Sequence, residues 1–560
     1  MNRLNTVLKP LLAMALVLAS ITGCAQLPMG GAIGVGPEIQ FESDSNYLYY
    51  SPSAPTEGDS PQQILSGFLS AGNGPQNDYS VARSYLTTDF QPEWKPSNEV
   101  LIQEGIPSFT FRGEDQAVVE ISVTAAIDQH GTYQEQPKVT KRYLNFALAK
   151  QGDQWRISSA PNLTVLIRPN FSVLFKAYQL YFFDKNHTTL VPDVRWFPSR
   201  TSTATHLIQA LLQGPQPWML DALAWDFPED TTLNLDSVTV ADGEARVDLS
   251  SQAVGATRSQ LRFMKAQIKA TLLQIPSVTS LNLTINNSPQ NIADLRANIP
   301  SAISSSPVTL DQTGLYGPNG RSVVSLGASG FRLLAEASDF ALNHAADRLA
   351  LLSNGSLYRI DMKALDKSPK LVDSRAKLLT PEFDSRDYLW SVGSSVNSAW
   401  LAWGSRGLQR ISTTALTSAA IKAFSISPDG ARVAVLYSGA KPSLWVHTVI
   451  RNEVGQPIAL GSGIKLQSNF GNPISVQWAD AINLAVLTTV DADNVRPTVV
   501  MLGGETKVYP ALANGRKMVA NLATSSILVT RRDATVVAFK SNTWVQIATD
   551  VRAVHLATLQ

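Results

Sequence analysis

Cysteine is nearly absent from this sequence of 560 residues. The single thiol, Cys24, stands near the N-terminus. One cysteine excludes an intrachain disulfide, and it excludes the multi-thiolate sites that hold structural zinc. The cellular compartment therefore cannot be inferred from a disulfide pattern, and the position of Cys24 needs an explanation of its own.

An excess of charge of either sign is also missing. The chain has 46 basic and 45 acidic residues, a formal net charge of +1, and only 16% charged residues. A protein that binds nucleic acid or an anionic membrane through its overall field has a clear excess of lysine and arginine. We therefore expect no nucleic-acid partner. The length is too great for one hydrophobic core and predicts several domains.

Motifs of catalysis and metal binding are lacking too. The sequence has no GxSxG nucleophile elbow. No two histidines have the i,i+4 spacing of a helical zinc site; they are His130, His187, His206, His344, His447 and His555. We expect no catalytic residue, no metal and no cofactor, and hence a protein that is not an enzyme.

The N-terminus has the pattern of a secretory signal. Arg3 and Lys9 give it a positive start, and an apolar run, LLAMALVLAS, follows at 11–20. This run is about half the roughly 20 residues that a membrane-spanning helix needs. A signal peptide therefore explains the segment better than a membrane-spanning anchor.

The sequence ITGC at 21–24 is similar to a bacterial lipobox, although Thr22 departs from the favoured alanine or serine. The resemblance implies cleavage between Gly23 and Cys24, which makes 1–23 a lipoprotein signal peptide. It also implies an S-diacylglycerol and N-acyl cysteine at Cys24. Two acyl chains on one residue anchor a protein stably, so we expect a protein on the extracytoplasmic face of the cell membrane. The alternative is an ordinary secretory signal with an incidental cysteine.

The next two segments differ in composition and in hydrophobic pattern. Residues 24–59 begin with a run rich in glycine and proline, which predicts a flexible tether. Residues 60–165 place helical patterns before long alternating runs, which predicts an α+β domain with a curved antiparallel sheet. This order is similar to the cone-shaped fold of the nuclear transport factor 2 superfamily.

Residues 171–299 mix strand and helix patterns. LLQGP at 211–215 ends a helix, and GEARVDLS at 243–250 follows a hairpin turn at Asp242 and Gly243. The arrangement resembles the GerM-type domain of sporulation proteins, and the resemblance implies binding or packing rather than catalysis. The low-complexity sequence PSAISSSP then predicts a linker over 300–319.

The hydrophobic pattern of the last region, 320–560, predicts an all-β structure with internal repeats. Short, mostly apolar triplets begin at 349, 389, 433, 484 and 527. A period of about 40 to 50 residues is typical of propeller blades. Ser427-Pro428-Asp429-Gly430 is the clearest turn between two strands. We expect a β-propeller of about five to seven blades, and a multidomain chain of the α+β plus all-β class.

One predicted helix carries four cations on one face. Arg258, Arg262, Lys265 and Lys269 are spaced at helical intervals beside an apolar stripe. They could contact lipid headgroups or an acidic partner. Alternatively, they border a buried stripe and extend their charged ends to water.

The order of these parts resembles the LpqB lipoprotein family of actinobacteria. The resemblance rests on ITGC, on ARSYLTTDF with the tryptophan that follows it, on LLQGP, on ARVDLS and on the propeller repeats. It implies a membrane-anchored accessory partner of a two-component sensor histidine kinase of the MtrAB type. Contact would be with the extracytoplasmic domain of the kinase, in cell-envelope homeostasis and division.

Two alternatives remain open. The propeller could bind or hydrolyse a cell-wall glycan or peptide, which requires carboxylates or histidines in its channel. The strands LALLSN, WSVGS and AVLYSG, interpreted as lining that channel, contain few such residues. The first domain could instead hold a small ligand in a pocket lined by aromatic residues, which are Tyr85, Phe90, Trp94 and Phe146.

Overall fold

The computed structural model describes residues 52–557, without 76, 200–201, 296–297, 300–305, 318–319, 324–327, 365–366, 415, 417 and 467–470. The described residues belong to one compact unit. The predicted signal peptide 1–23, Cys24 and most of the predicted tether 24–59 lie outside the described residues. None of the described helices is long and apolar enough to cross a membrane.

The N-terminal domain packs two helices against a five-stranded sheet. Ser60 caps the first helix by accepting a hydrogen bond from the Gln63 amide. The sheet order is β4-β3-β2-β1-β5, antiparallel except for the β1–β5 pair. The elements are α1 (Pro61–Ala71), α2 (Ser80–Ser84), β1 (Glu99–Arg112), β2 (Gln116–Asp128), β3 (Tyr133–Gln151), β4 (Gln154–Ser159) and β5 (Thr164–Ile167). The specific likeness to nuclear transport factor 2 stays a prediction.

The aromatic pocket proposed for this domain is filled by its own core. Trp94 is 1% exposed, its ring lies 5.0 Å from that of Phe68, and its Nε1 donates to the Pro161 carbonyl at 3.1 Å. The cavity beside Trp94 and Phe146 has a volume of about 10 Å³. That is at most the space one water needs. Tyr85, Trp94 and Phe146 are thus part of the buried core, which is the alternative to a ligand pocket, and Phe90 packs against that core. Phe90 also lines a separate, mostly polar cavity of about 420 Å³.

The second domain has two small sheets around two helices. The sheet orders are β7-β6-β8 and β12-β11-β10-β9. The parallel pair β10–β11 is joined through a helix, as a parallel connection requires. The predicted turn is present, with positive φ at Asp242 and Gly243. The elements are α3 (Arg168–Leu174), β6 (Phe175–Asp184), β7 (Leu190–Pro198), α4 (Thr203–Leu212), β8 (Leu223–Ala224), β9 (Thr239–Ala241), β10 (Glu244–Leu249), α5 (Arg258–Leu272), β11 (Ser280–Ile285) and β12 (Ser288–Pro289), with short 3₁₀ turns at Pro217–Met219 and Ser251–Gly255.

The C-terminal domain is a ring of six sheets over the described residues, in agreement with the predicted five to seven blades. Blades 1 to 5 follow in chain order after a short helix, α6 (Ala328–Ala335). Blade 1 is β15 (Ala337–Leu342), β16 (Arg348–Ser353), β17 (Ser356–Asp361) and β18 (Lys370–Asp373); blade 2 is β19 (Glu382–Phe383), β20 (Leu389–Ser391), β21 (Trp400–Gly404) and β22 (Gly407–Ile411); blade 3 is β23 (Ile421–Ile426), β24 (Arg432–Tyr437), β25 (Ser443–Arg451) and β26 (Pro457–Lys465). Blade 4 is β27 (Asn472–Trp478), β28 (Asn483–Thr489), β29 (Asn494–Met501) and β30 (Thr506–Val508), with β31 (Leu512–Ala513) paired to β29; blade 5 is β32 (Gly515–Asn521), β33 (Ser526–Arg531), β34 (Val536–Lys540) and β35 (Thr543–Ala548).

Blade 6 closes the ring with strands from both ends of the domain. It consists of β13 (Ser306–Leu310), β14 (Leu315–Tyr316) and β36 (Ala553–Ala557), with β36 on the inside. The prediction of a linker over 300–319 is therefore wrong for the part that forms β13 and β14. Val308, Leu310 and Leu315 are fully buried there. Their burial, rather than the low-complexity sequence before them, decides the structure.

The apolar triplets of the sequence mark the second strand of each blade rather than the strand beside the channel. They lie on β16, β20, β24, β28 and β33. In β24 every residue is buried. A second strand is covered by neighbouring blades on both faces, so it becomes continuously apolar. The innermost strands, β15, β19, β23, β27, β32 and β36, contact one another around the ring and provide most of the residues that line the channel.

Candidate functional site

The propeller channel contains a cavity of about 340 Å³ that is lined by strands of all six blades. A cavity of this size is at the lower end for small-molecule sites. Its walls are partly apolar and include six ionisable side chains: Asp339, Glu382, Lys422, Arg516, Lys517 and His555. The expectation that the channel contains few carboxylates or histidines is wrong, because it was based on second strands.

A charge pair crosses the channel between blades 5 and 1. Lys517 Nζ lies 3.2 Å from Asp339 Oδ2 and 3.3 Å from Asp339 Oδ1. The Thr380 hydroxyl donates to the same carboxylate, and the Phe340 amide donates to it at 3.0 Å. Asp339 is 8% exposed. Its charge is therefore compensated by three separate groups of the protein.

Glu382 lines the channel on blade 2. Its Oε2 accepts a hydrogen bond from the Ile426 amide at 2.7 Å. Burial raises the pKa of Glu382 to about 7, against the opposing effects of that hydrogen bond and of Lys517. The side chain is half-buried because channel space adjoins it, while protein surrounds it on the other sides. Near neutral pH the carboxyl is therefore protonated in a large fraction of molecules.

This raised pKa predicts how stability depends on pH. Between about pH 4.5 and 7 the folded protein binds a proton at Glu382 that the unfolded chain has released. The resulting stabilisation is present below about pH 4.5 and is lost as the pH rises through 7. Glu382→Gln stays neutral at every pH. We therefore expect its unfolding free energy, minus that of wild type, to be roughly 1–3 kcal/mol larger at pH 8 than at pH 4.5. Chemical denaturation at both pH values measures this difference, and Glu453→Gln, at an exposed position, is the control. A difference that is the same at both pH values contradicts the prediction.

His555 is the histidine of the channel, on β36. Burial and the nearby Lys517 charge lower the pKa of His555 to about 4. The imidazole is half-buried, and its ring lies edge-on to Phe340 at 5.8 Å. His555 is therefore neutral at physiological pH and adds hydrogen-bonding groups rather than charge.

A second functional surface joins the propeller to the other domains. Arg386, in the turn after β19, forms an ion pair with Asp184 of the second domain. It also donates to Asn186 Oδ1 at 2.9 Å and to Thr188 Oγ1 at 2.7 Å. One guanidinium thus fixes the β6–β7 turn of the second domain against blade 2.

The turn at 427–430, the clearest turn predicted from the sequence, lies in the same interface. Asp429 pairs with Arg432, and both side chains are fully buried. Arg432 also donates to the Ala481 carbonyl of blade 4 at 2.7 Å and to the Pro192 carbonyl of the second domain at 3.4 Å. Its guanidinium stacks 5.0 Å from the ring centroid of Trp478. The turn at 427–430 therefore connects two blades and a separate domain.

All three domains meet at the turn after β29. Trp196 of the second domain donates to the Gly503 carbonyl at 2.8 Å. Arg168, at the start of α3, lies 2.9 Å from Glu505 Oε1. On the N-terminal sheet, Glu135 accepts a hydrogen bond from Thr506 at 3.4 Å. These contacts make the described residues one body rather than separate domains on linkers.

The four cations of the predicted helix lie on α5, and the structure divides them into two pairs. Lys265 and Lys269 each lie 2.8 Å from a carboxylate oxygen of Asp294. Arg258 and Arg262 are exposed, and no ion pair to either is present in the described part of the chain. Contact with a lipid or an acidic partner therefore stays a prediction for these two arginines, while the two lysines already have a partner.

The pair of lysines also predicts a modest acid sensitivity. Hydrogen bonds from Lys265 and Lys269 lower the pKa of Asp294 to about 2. The ionised carboxylate stabilises the folded state at pH values above the ordinary pKa near 4. This stabilisation is lost as the pH falls towards 2. Because Asp294 is largely exposed, we expect Asp294→Asn to cost less than about 1 kcal/mol at pH 7 and nothing below pH 2. Denaturation at both pH values measures it; an equal cost at both contradicts the ion-pair explanation.

Three family models match this chain in succession. The N-terminal domain of lipoprotein LpqB matches residues 54–172, the sporulation and spore germination domain matches 179–291, and the LpqB β-propeller domain matches 318–554. The chain belongs to the LpqB lipoprotein family. The predicted family, the GerM-type domain and the propeller are thereby confirmed.

Several LpqB relatives are similar over most of their length. Lipoprotein LpqB of Cutibacterium acnes is 26% identical and covers 86% of this chain and 87% of its own. Lipoprotein LpqB of Bifidobacterium longum is 23% identical and covers 92% of both chains. Among solved structures, the first GerMN domain of GerM from Bacillus subtilis is 25% identical, covers 22% of this chain and 98% of its own, and has a TM-score of 0.18. A TolB structure from Agrobacterium tumefaciens is 13% identical, covers 44% of this chain and 88% of its own, and has a TM-score of 0.31.

Proposed function

We propose that this LpqB-family protein is a membrane-anchored accessory partner of a two-component sensor histidine kinase of the MtrAB type. It acts outside the cytoplasm, in cell-envelope homeostasis and division, and it works by contact rather than by catalysis. The observation that supports the proposal most is the succession of all three family domains along one chain. The lipobox-like ITGC at 21–24 supports the anchor.

The packing of the domains supports a role by contact. Arg386, Arg432 and Trp196 each bond across a domain boundary. A binding surface that spans several such domains is already ordered before a partner arrives, so association costs less conformational entropy. A regulator that holds a kinase sensor domain in one state benefits from this rigidity.

The anchor supports a role beside a membrane protein. The acyl chains at Cys24 would confine the protein to the layer in which the extracytoplasmic domain of a kinase lies. Confinement raises the effective concentration of each partner, so a weak protein contact becomes occupied. An interface with micromolar or weaker affinity would therefore be sufficient.

The test is a crosslinking pull-down from membranes. Wild type is compared with a form in which a cleavable secretory signal replaces 1–24, so that the same folded body is exported without its anchor. We expect the sensor kinase to be recovered with wild type and to be lost or strongly reduced with the unanchored form. Recovery of wall fragments or glycan-processing proteins, without a kinase, would contradict the proposal.

A further inference from the structure

The channel cavity opens on the face of the propeller opposite the turns that contact the second domain. The cavity-lining residues Ser338, Lys422 and Arg516 lie at the beginning of their inner strands. The side chains that bond to the second domain, Arg386 and Arg432, follow the end of inner strands. Inner strands of a propeller run in the same direction, so these are opposite faces. Ser338 and Arg516 are exposed, which places the mouth of the cavity in solvent.

Two cations at this mouth, Lys422 and Arg516, have no ion pair among the described residues, although the carboxyl of Glu382 lines the same cavity. Lys422 has a 3.4 Å contact with Asn472 Oδ1, and no ion pair to it is present among the described residues. Arg516 donates to the backbone carbonyl of Arg552. Lys517 is neutralised by Asp339 and therefore adds little. Lys422 is half-buried, and this partial burial lowers the pKa of its ammonium group.

The walls of the cavity include apolar side chains, Phe424 and Val476 among them. Small-molecule sites combine such walls with a few placed polar or charged groups. The cavity therefore suits a ligand that has a carbon skeleton as well as a charged group.

We infer that the open end of the propeller channel binds a small organic anion. Lys422 and Arg516 contact its carboxylate or phosphate group, and the apolar walls contact its carbon skeleton. Lys517, tied to Asp339, forms the floor of the site. This ligand site is separate from the face that holds the domains together, so it does not depend on the proposed contact with a kinase.

Calorimetric titration of the full-length protein in detergent tests the inference. The probes are glucose 6-phosphate, inorganic phosphate, citrate and, as the uncharged match to the first, glucose. The variants are Lys422→Met and Arg516→Met. Lys370→Met is the control, because Lys370 is an exposed lysine on the outer strand of blade 1.

We expect at least one of the two organic anions to bind at millimolar concentration or below, with glucose and phosphate weaker. Loss of one charge-assisted hydrogen bond in Lys422→Met or Arg516→Met should weaken binding about 10- to 100-fold. Lys370→Met should bind as wild type does. Absence of binding by both organic anions, or equal weakening by Lys370→Met, overturns the inference. Binding of phosphate as tight as that of the organic anions identifies an adventitious ion only and overturns it too.

Discussion

Arg432→Met is expected to lower the unfolding free energy by about 3–5 kcal/mol, because it leaves the buried carboxylate of Asp429 without a partner. It also removes the hydrogen bonds to Ala481 and Pro192 that join the blades to the second domain. Chemical denaturation of the purified protein measures the change. The substitution keeps most of the side-chain volume, so a cavity contributes little to the loss.

Arg410→Met is the matched control, because Arg410 is exposed on the outer strand of blade 2. It should change the unfolding free energy by no more than about 0.5 kcal/mol. The double variant Arg432→Met with Asp429→Asn should recover part of the loss, since the unpaired charge is gone. Equal effects of Arg432→Met and Arg410→Met would show that the buried pair does not hold the domains together.

Cys24→Ala is expected to abolish acylation completely, since Cys24 is the only thiol in the chain. Growth with labelled palmitate, followed by purification, measures this: wild type should be labelled and Cys24→Ala should not. Thr22→Ala brings the lipobox closer to its favoured pattern and should keep the label. Label on Cys24→Ala, or none on wild type, would contradict the lipid anchor.

The two predictions depend on different information in the sequence. The anchor follows from a linear motif, which needs no tertiary structure to be recognised. The turn at 427–430 was also visible as a motif, but its role was not. Nothing in the sequence shows that Arg432 reaches the carbonyl of Pro192, more than 200 residues away. Local turn chemistry predicts the strand pair, whereas the domain contact depends on the complete fold.

The residues that line the channel also could not be predicted from the sequence repeats. Apolar triplets were the strongest repeat signal, and they mark strands covered on both faces, such as β24. The strands that line the channel have one face on a polar cavity, so they carry Asp339, Lys422 or Lys517 among apolar residues. Their repeat is therefore weaker. A search for charged residues just before each triplet strand would have found several of them, because the inner strand precedes the second strand in blades 1 to 5.

The ends of the propeller could not be predicted from local pattern. Ser306–Leu310 forms one strand of blade 6 only because it pairs with Ala553–Ala557 at the other end of the domain. Such a pairing has no signal in a window of a few residues. By contrast, the hairpin at Asp242 and Gly243 was predictable, since its turn residues and its two strands are adjacent.

We propose that the anchored protein changes the activity of a sensor kinase. The direct measurement is the rate of kinase autophosphorylation in vesicles that contain the full-length kinase. The acylated protein should shift this rate at low surface density. The unanchored form should need a much higher bulk concentration for the same shift, because it lacks confinement to the membrane. An unchanged rate at every density of the acylated protein would contradict the account.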